Sequence, residues 1–191
     1  MKPIKRSFFK QETIKIAKAL LGNYLVNKTK EGTTIGKIIE TEAYLSNDLA
    51  SHSSKGKTKR NEAMFGHPGK AYVYFTYGMY HCFNVVTAKE GIGEAVLIRA
   101  LEPISGINLM KKRRKTNDLR ELCSGPAKLA IAMGISKAHN KIDLIDGKLK
   151  LCKGETIKEK DIIKTSRIGI SKGKSLPYRF YIKSNQFISR R

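Results

Sequence analysis

The sequence predicts one domain that mixes helices and strands, and three patterns lead to this expectation. A segment near the N-terminus has the apolar spacing of a helix, a tyrosine-rich segment alternates like a hairpin, and an apolar run in the middle is typical of a buried strand. Of the 191 residues, 40% are hydrophobic, which suffices for one sizeable core. We therefore expect a single domain over residues 1–191.

The N-terminal part predicts a helix followed by two paired strands. Apolar residues recur at helical spacing over residues 12–21, and Gly22 follows as a C-terminal cap. Residues 24–27 and 35–41 have the composition of strands joined by a turn. Glu42 should therefore lie where the second strand ends.

A long loop follows this strand pair. Residues 46–60 are polar and basic and lack apolar periodicity, and a loop of that length usually has a function. A strand that aims the Glu42 carboxylate beside a loop that can close over a substrate is a suitable place for an active site. Glu40 lies on the same strand face, so the pattern alone leaves either carboxylate as the catalytic acid.

A tyrosine-rich hairpin is the second candidate site. Small and apolar residues alternate with Tyr72 and Tyr74 over residues 70–75, and residues 80–87 return as the partner strand. Tyr77 is then at the tip. A large ring on an exposed turn can act as a wedge between base pairs of duplex DNA. The alternative is that the ring folds back onto the domain.

The second half of the chain predicts further strands and helices. Residues 94–101 are typical of a buried strand, in which Arg99 needs an acceptor such as Glu42; structural pairing alone explains Arg99 equally well. Helices are expected near residues 107–112 and 126–133, the second one ending at Gly134. Two more strands are expected near the C-terminus, a weak one over residues 148–152 and another over residues 178–183.

The chain is strongly basic. It has 38 Lys and Arg residues against 16 Asp and Glu residues, giving a formal net charge of +22 that is spread along the chain. Such a charge favours a folded surface that attracts nucleic acid. Association with the ribosome, or a lysine-rich genome, would explain the composition as well. The basic run at residues 111–115 is interpreted as general attraction.

Cysteine and histidine spacing does not suggest a cofactor or a metal. The three cysteines are far apart without a Cys-x-x-Cys pair, so neither disulfides nor a zinc site is expected. His67, His81 and His139 have no metal-ligand spacing. No signal peptide or membrane span is evident, so we expect a cytoplasmic protein.

Seven motifs then occur in one order along most of the chain, and together they resemble the alkyladenine (3-methyladenine) DNA glycosylases, the monofunctional purine type. The motifs are ETEAY, SHSSKGKTKRN with MF after it, YVYFTYGMYHCFN, VLIRALEP, ELCSGPAKL, RIGI and PYRFYI. The resemblance implies an α+β fold: a curved antiparallel sheet forming an open barrel, similar to the C-terminal domain of formyltransferases, with flanking helices and a protruding hairpin that enters the DNA minor groove.

The resemblance also implies the catalytic groups. Glu42 matches the general base, and Arg99 with the backbone carbonyl of Ile168 resembles the support of the attacking water. A carboxylate suits this reaction because positive charge builds on the sugar as the bond to the base breaks. Since the matched motif has no lysine nucleophile, we expect a free base and an intact abasic strand.

The implied base pocket contains Tyr44, His52, Tyr74 and Asn84. The first three match residues that line or stack around the flipped base, and Asn84 resembles the residue that discriminates between purine ring substituents. Tyr77 matches the ring that replaces the extruded nucleotide. His52 capping its loop and Asn84 bonding to backbone are the simpler alternatives.

The expected partner is double-stranded DNA that contains damaged purines, bound by a monomer close to the nucleoid, without a membrane. Lys57, Arg60 and Met79 are expected to contact this DNA. The competing class is a non-catalytic nucleic-acid-binding module, or a formyltransferase-like RNA-binding domain. Such a protein would need the basic surface but neither Glu42 nor the ring of Tyr77.

Overall fold

The computed structural model describes residues 1–76 and 78–190. Within these residues, three α-helices and eight β-strands form. The helices are α1 (Thr13–Ala19), α2 (Ile107–Arg114) and α3 (Pro126–Met133). The strands are β1 (Tyr24–Thr29), β2 (Gly32–Tyr44), β3 (Ala71–Thr76), β4 (Tyr80–Val86), β5 (Ala95–Ser105), β6 (Leu149–Cys152), β7 (Ile162–Thr165) and β8 (Arg179–Ile182).

The strands form one antiparallel sheet that curls into a half-barrel. Its order is β3-β4-β5-β2-β1-β6, and β8 pairs with both β2 and β7. The long strand β2 has β5 along one edge, and along the other it has β1 near its start and β8 near its end. Register shifts beside Glu40 mark bulges, which increase twist and bending. The fold is α+β with a curled antiparallel sheet, as expected.

The main core lies between this sheet and the helices. Helix α1 packs against β2 and β5, and α3 packs against β4 and β5. The hydroxyl of Thr41 donates a hydrogen bond of 2.9 Å to the carbonyl of Ala17, so α1 covers the side of β2 that carries Thr41 and Ala43. Because side chains alternate along a strand, Glu40, Glu42 and Tyr44 belong to the opposite side.

Three differences between the observed elements and the sequence prediction matter for the sheet. Strand β2 continues through Tyr44, so Glu42 lies inside the strand and not at its exit. Strand β5 continues past Pro103, where its pairing with β4 has already ended and a missing backbone N–H is tolerated. Strand β7 was not expected, because its four residues show no alternation.

A pair of glycine substitutions tests the close packing at the end of β5. Gly106 has a φ of +73°, and a Cβ there would come within 2.3 Å of the Thr33 carbonyl. Gly91 has a φ of +88°, but its Cβ would meet nothing within 4 Å. Gly91→Ala should cost about 1 kcal/mol of unfolding free energy from backbone strain alone.

Gly106→Ala should cost roughly 3 kcal/mol, because backbone must also move. Urea denaturation of both variants measures the difference. Equal losses of unfolding free energy in the two variants would show that the backbone at the end of β5 moves to accommodate the added methyl group without further cost.

Candidate active site

A cavity of about 620 Å³ opens beside the end of β2. It is lined by parts of strands β2 to β5, by the first turn of α3, and by two loops that contribute residues 49, 50 and 52 and residues 168–172. Tyr44, Tyr74, Asn84 and Arg99 are among the lining residues. The fold therefore brings together sequence segments that are far apart in the chain.

Glu42 lies directly behind the wall of this cavity. Its side chain has no exposed surface. The Tyr44 hydroxyl donates a 2.8 Å hydrogen bond to Oε2, and the backbone N–H of Ile168 donates one of 2.8 Å to Oε1. Arg99 Nη1 forms an ion pair at 3.3 Å from Oε1. The three residues that hold the carboxylate thus line the cavity themselves.

The second carboxylate of β2, Glu40, is occupied by other groups. Its Oε1 accepts hydrogen bonds from Arg179 Nε at 2.7 Å, Arg99 Nε at 3.2 Å and the Ser189 hydroxyl at 2.9 Å. Its Oε2 accepts one of 2.6 Å from the Ser189 N–H. These bonds fill most of the acceptor capacity of the carboxylate. The geometry favours Glu42 over Glu40 as the reacting acid.

Arg99 joins the two carboxylates. Its Nε is directed to Glu40, whereas Nη1 approaches Glu42. Buried charges in this arrangement compensate one another, because Arg99 and Arg179 face the two glutamates at close range. The expectation that Arg99 needs a carboxylate is thus met by both glutamates.

An aromatic wall faces the cavity from the hairpin. The rings of His52 and Tyr74 are 4.5 Å apart at an angle of 69°, and those of Tyr72 and Tyr74 are 5.4 Å apart. His52 Nδ1 shares a 2.8 Å hydrogen bond with the Tyr72 hydroxyl. The packing of its ring and the nearby Arg60 charge lower the pKa of His52, which favours a neutral imidazole.

Burial also keeps the tyrosine hydroxyls protonated. Burial raises the pKa of Tyr72 to about 12 and raises that of Tyr74 further. For Tyr44, burial and then the Glu42 carboxylate raise the pKa. The Tyr44 hydroxyl is therefore a hydrogen-bond donor to Glu42 at neutral pH.

Asn84 lies on β4 with its side chain buried at the cavity wall. Its Nδ2 donates a 3.0 Å hydrogen bond to the backbone carbonyl of Tyr72 across the hairpin. Since the amide nitrogen is held by this bond, the orientation of the side chain is fixed. Asn84 therefore bonds to backbone, as the simpler alternative expects, and it also lines the cavity.

The residues expected to contact DNA lie on the outer surface. Met79 is 66% exposed at the hairpin turn, and Lys57 and Arg60 are exposed in the long loop. Arg60 Nη2 approaches the Phe75 carbonyl at 3.5 Å, which links the loop to the hairpin. Tyr77, the expected wedge, lies outside the described residues.

Sequence reasoning missed two contacts of the site. The prediction for Ile168 concerned its carbonyl as support for the attacking water, and it did not include the hydrogen bond from the Ile168 N–H to Glu42. Arg167, its neighbour, is fully buried and forms an ion pair with Asp48. Its guanidinium carbon lies 4.7 Å from the centre of the Tyr44 ring. Its place in the RIGI motif was the available signal, but nothing linked it to Asp48.

Within residues 1–76 and 78–190, no group of three or more His, Cys, Asp or Glu side chains is arranged to hold a metal ion. In the same residues, no helix has the length and apolar character needed to cross a membrane.

Comparisons with known proteins give a consistent result. A family model described as methylpurine-DNA glycosylase (MPG) matches residues 7–186. Proteins named "Putative 3-methyladenine DNA glycosylase" are similar over almost their whole length. The relative from Carboxydothermus hydrogenoformans is 54% identical over 97% of this chain and 98% of its own. One from Francisella tularensis is 55% identical over 94% and 95%, and one from Methanoculleus marisnigri is 48% identical over 97% of each chain.

The lowered pKa of His52 predicts a pH-dependent contribution to stability. Below the ordinary value of about 6.5, the unfolded chain binds more protons at this residue than the folded one, so stability falls as the pH falls. The stability advantage of the wild type over His52→Gln should therefore shrink between about pH 7.5 and pH 5.5. Melting temperatures of both proteins across this range test it. An advantage that grows in acid would contradict the neutral imidazole.

Proposed function

This chain belongs to the methylpurine-DNA glycosylase family, and we propose that it excises alkylated and deaminated purines from double-stranded DNA, leaving an abasic site. Family membership makes it a DNA-repair enzyme that hydrolyses N-glycosyl bonds. The proposed substrates are 3-methyladenine, 7-methylguanine, hypoxanthine and ethenoadenine. The observation on which the mechanism depends is the Glu42 carboxylate, held by three donors directly behind an aromatic-walled cavity.

The reaction requires that the purine leave the duplex. A base inside the helix hides its glycosidic bond, and rotating the nucleotide out costs a few kcal/mol, less when the base is damaged or mispaired. We assign Tyr77 to fill the vacated space and Met79, which is exposed at the hairpin turn, to contact the DNA. Lys57 and Arg60 are exposed and add positive charge, which attracts the phosphate backbone.

The cavity suits a flat, extruded purine. The faces of Tyr44 and Tyr74, together with His52, provide surfaces on which such a base can stack. An alkylated purine with a positive charge gains from electron-rich rings through cation–π attraction, and a neutral His52 does not repel it. Asn84 presents a fixed amide at the wall, against which purine ring substituents are selected.

Glu42 performs two tasks in the proposed chemistry. Its negative charge stabilises the positive charge that develops on the sugar, and it accepts the proton of the attacking water. Ile168 and Arg99 hold Oε1, so Oε2 is the oxygen that acts as base. A carboxylate oxygen can accept two hydrogen bonds, so Oε2 has capacity for a water in addition to the Tyr44 hydroxyl or after that hydroxyl shifts.

The carboxylate must gain access to the substrate, because it has no exposed surface in this structure. Tyr44, Arg99 and Ile168 stand between it and the cavity. A shift of the Tyr44 hydroxyl on base binding would open a path for water, and catalytic hydrogen bonds commonly rearrange in the substrate complex. The buried position also keeps the carboxylate in a low-dielectric environment, where it stabilises positive charge more strongly.

No covalent intermediate with lysine is part of the proposal. Lys172 is the lysine among the described residues that line the cavity, and it is exposed at the mouth. Glu42, in contrast, is fixed by its hydrogen bonds at the wall. Water as nucleophile therefore leaves an abasic strand without a break.

Removal of the Glu42 charge should abolish excision without loss of DNA binding. Duplexes that carry one hypoxanthine or one methylated purine are incubated with the enzyme, and strand breaks should appear only after alkali treatment. Glu42→Gln keeps the size of the side chain, so it should slow excision by about a hundredfold or more.

Glu62→Gln, at an exposed glutamate paired with Lys141, is the matched control and should retain activity. Wild-type rates in Glu42→Gln would show that another group is the base. A non-catalytic module would bind the duplex and release no base from it.

The wedge role of Tyr77 predicts a dependence on base pairing. Tyr77→Ala should slow excision of a paired lesion by about tenfold, because flipping then costs more free energy. In a single strand the same lesion is not paired and does not have to be flipped out of a duplex. The variant should therefore lose less of its excision rate on that substrate. Single-turnover rates on both substrates test this. Equal losses on the two would remove the wedge role.

A further inference from the structure

Arg167 and Asp48 form a buried ion pair behind Tyr44. Their side chains are 0% and 1% exposed. Arg167 Nη2 donates a 3.0 Å hydrogen bond to Asp48 Oδ1, and Nη1 bonds to Oδ2 and to the Ala43 carbonyl. Tyr44 lines the cavity, and the guanidinium covers one face of its ring. A purine that stacks on Tyr44 must therefore take the opposite face.

We propose that Asp48 determines which damaged purines are excised, because it cancels the positive charge of Arg167 behind the stacking ring. With Asp48 in place, the site accepts purines that alkylation has made cationic. Without it, the site favours neutral damaged purines. This inference rests on the proposed function and names a residue that selects substrates by their charge.

The charges are close enough for this effect. The guanidinium carbon is 4.7 Å from the ring centre, and a stacked purine lies about 3.5 Å beyond it, giving a separation of roughly 8 Å. Two like unit charges at that distance would change a binding ratio by about tenfold or more at an effective dielectric constant of about 20. When Arg167 is paired with Asp48, the two opposite charges act on the purine as a compact dipole, whose field is weaker than that of a single positive charge.

Arg167 remains positively charged, and the Asp48 carboxylate is therefore needed to compensate this charge. Burial lowers the pKa of Arg167, but the hydrogen bond and the charge of Asp48 raise it above its ordinary value. In the part of the chain that the structure describes, its Nε–H has no acceptor. Its two Nη groups bond to the Asp48 carboxylate, which is therefore the carboxylate in direct contact with the guanidinium.

The bond-breaking step responds to the same charge. When the glycosidic bond breaks, both electrons go to the purine, and the sugar takes the hydroxide of a water whose proton goes to Glu42. A cationic purine leaves as a neutral molecule, whereas a neutral purine leaves with a negative charge until it is protonated. An uncompensated Arg167 would hinder binding of the cation and favour departure of the anion, and both effects favour neutral substrates.

A purely structural role for the pair makes a different prediction. Asp48 Oδ1 also accepts a hydrogen bond from the N–H of Ala50, and Arg167 Nη2 approaches the Gly173 carbonyl at 3.4 Å. The pair therefore connects two loops of the cavity. If anchoring were its whole effect, substitutions would slow the excision of cationic and neutral purines equally.

The test is a competition between two duplexes in one tube. They have the same sequence, with 7-methylguanine or hypoxanthine at one position opposite cytosine, and different fluorescent labels. The ratio of the two excision rates does not depend on how much enzyme is correctly folded. Asp48→Asn should lower the ratio of 7-methylguanine to hypoxanthine excision by about tenfold.

The reverse substitution should act in the opposite direction. Arg167→Met leaves the carboxylate of Asp48 and should raise the ratio, and the double variant, which has neither charge, should return it to within about threefold of the wild type. Loss of packing cannot move the ratio in two directions. If Asp48→Asn does not fold, the direction of the change in Arg167→Met still decides.

Asp143→Asn is the matched control. It removes a carboxylate from a half-exposed pair with Arg6, and it should leave the ratio unchanged. If Asp48→Asn and Arg167→Met both excised the two bases at the wild-type ratio, the inference about Asp48 would be wrong and the proposed function would still hold. Wild-type protein that releases neither base would contradict the proposed function, and this inference with it.

Discussion

The central constraint on this structure is the need to compensate two buried carboxylates on one strand. Glu40 and Glu42 lie two residues apart on β2, and Arg99 on β5 reaches both. Arg179 on β8 and Ser189 complete the partners of Glu40. Because an unpaired buried charge costs several kcal/mol, the register of β2 with its neighbours cannot slip without losing these contacts. The two carboxylates therefore differ in position: Glu40 connects the strands, and Glu42 lies behind the cavity wall, where residues that line the cavity hold it.

A second feature of the site is that neighbouring residues fix the side chains of the cavity wall. Three side chains at the cavity wall are held by neighbours: the Tyr72 hydroxyl bonds to His52, the Tyr72 carbonyl holds Asn84, and Arg167 covers the rear of Tyr44. A rigid wall loses little conformational entropy when a flat base enters. In the proposed function, the positive charge of the chain attracts DNA, and these neutral and charge-compensated surfaces select the base.

The local features of the fold were predictable from the sequence, but the long-range contacts were not. Residues 126–133 form α3 as predicted, because Pro126 and Gly134 mark its ends with backbone chemistry. The tyrosine hairpin was recognised from its alternation. The Glu42–Ile168, Arg167–Asp48 and Glu40–Ser189 contacts span 126, 119 and 149 positions, and no local pattern encodes such pairings. The motif order suggested that Glu42, Arg99 and Ile168 converge, whereas Asp48 belonged to no recognised motif.

The complete enclosure of the Glu42 side chain has a consequence for a protein that works among salts and polyamines. Hydrated magnesium ions and polyamines accompany DNA in large numbers, and an open acid beside a phosphate-binding surface would attract them. A carboxylate without exposed surface offers such ions no ligand oxygen, since they would have to shed water to reach it. In the proposed reaction, the acid is thereby reserved for the sugar of the nucleotide that fits against the wall.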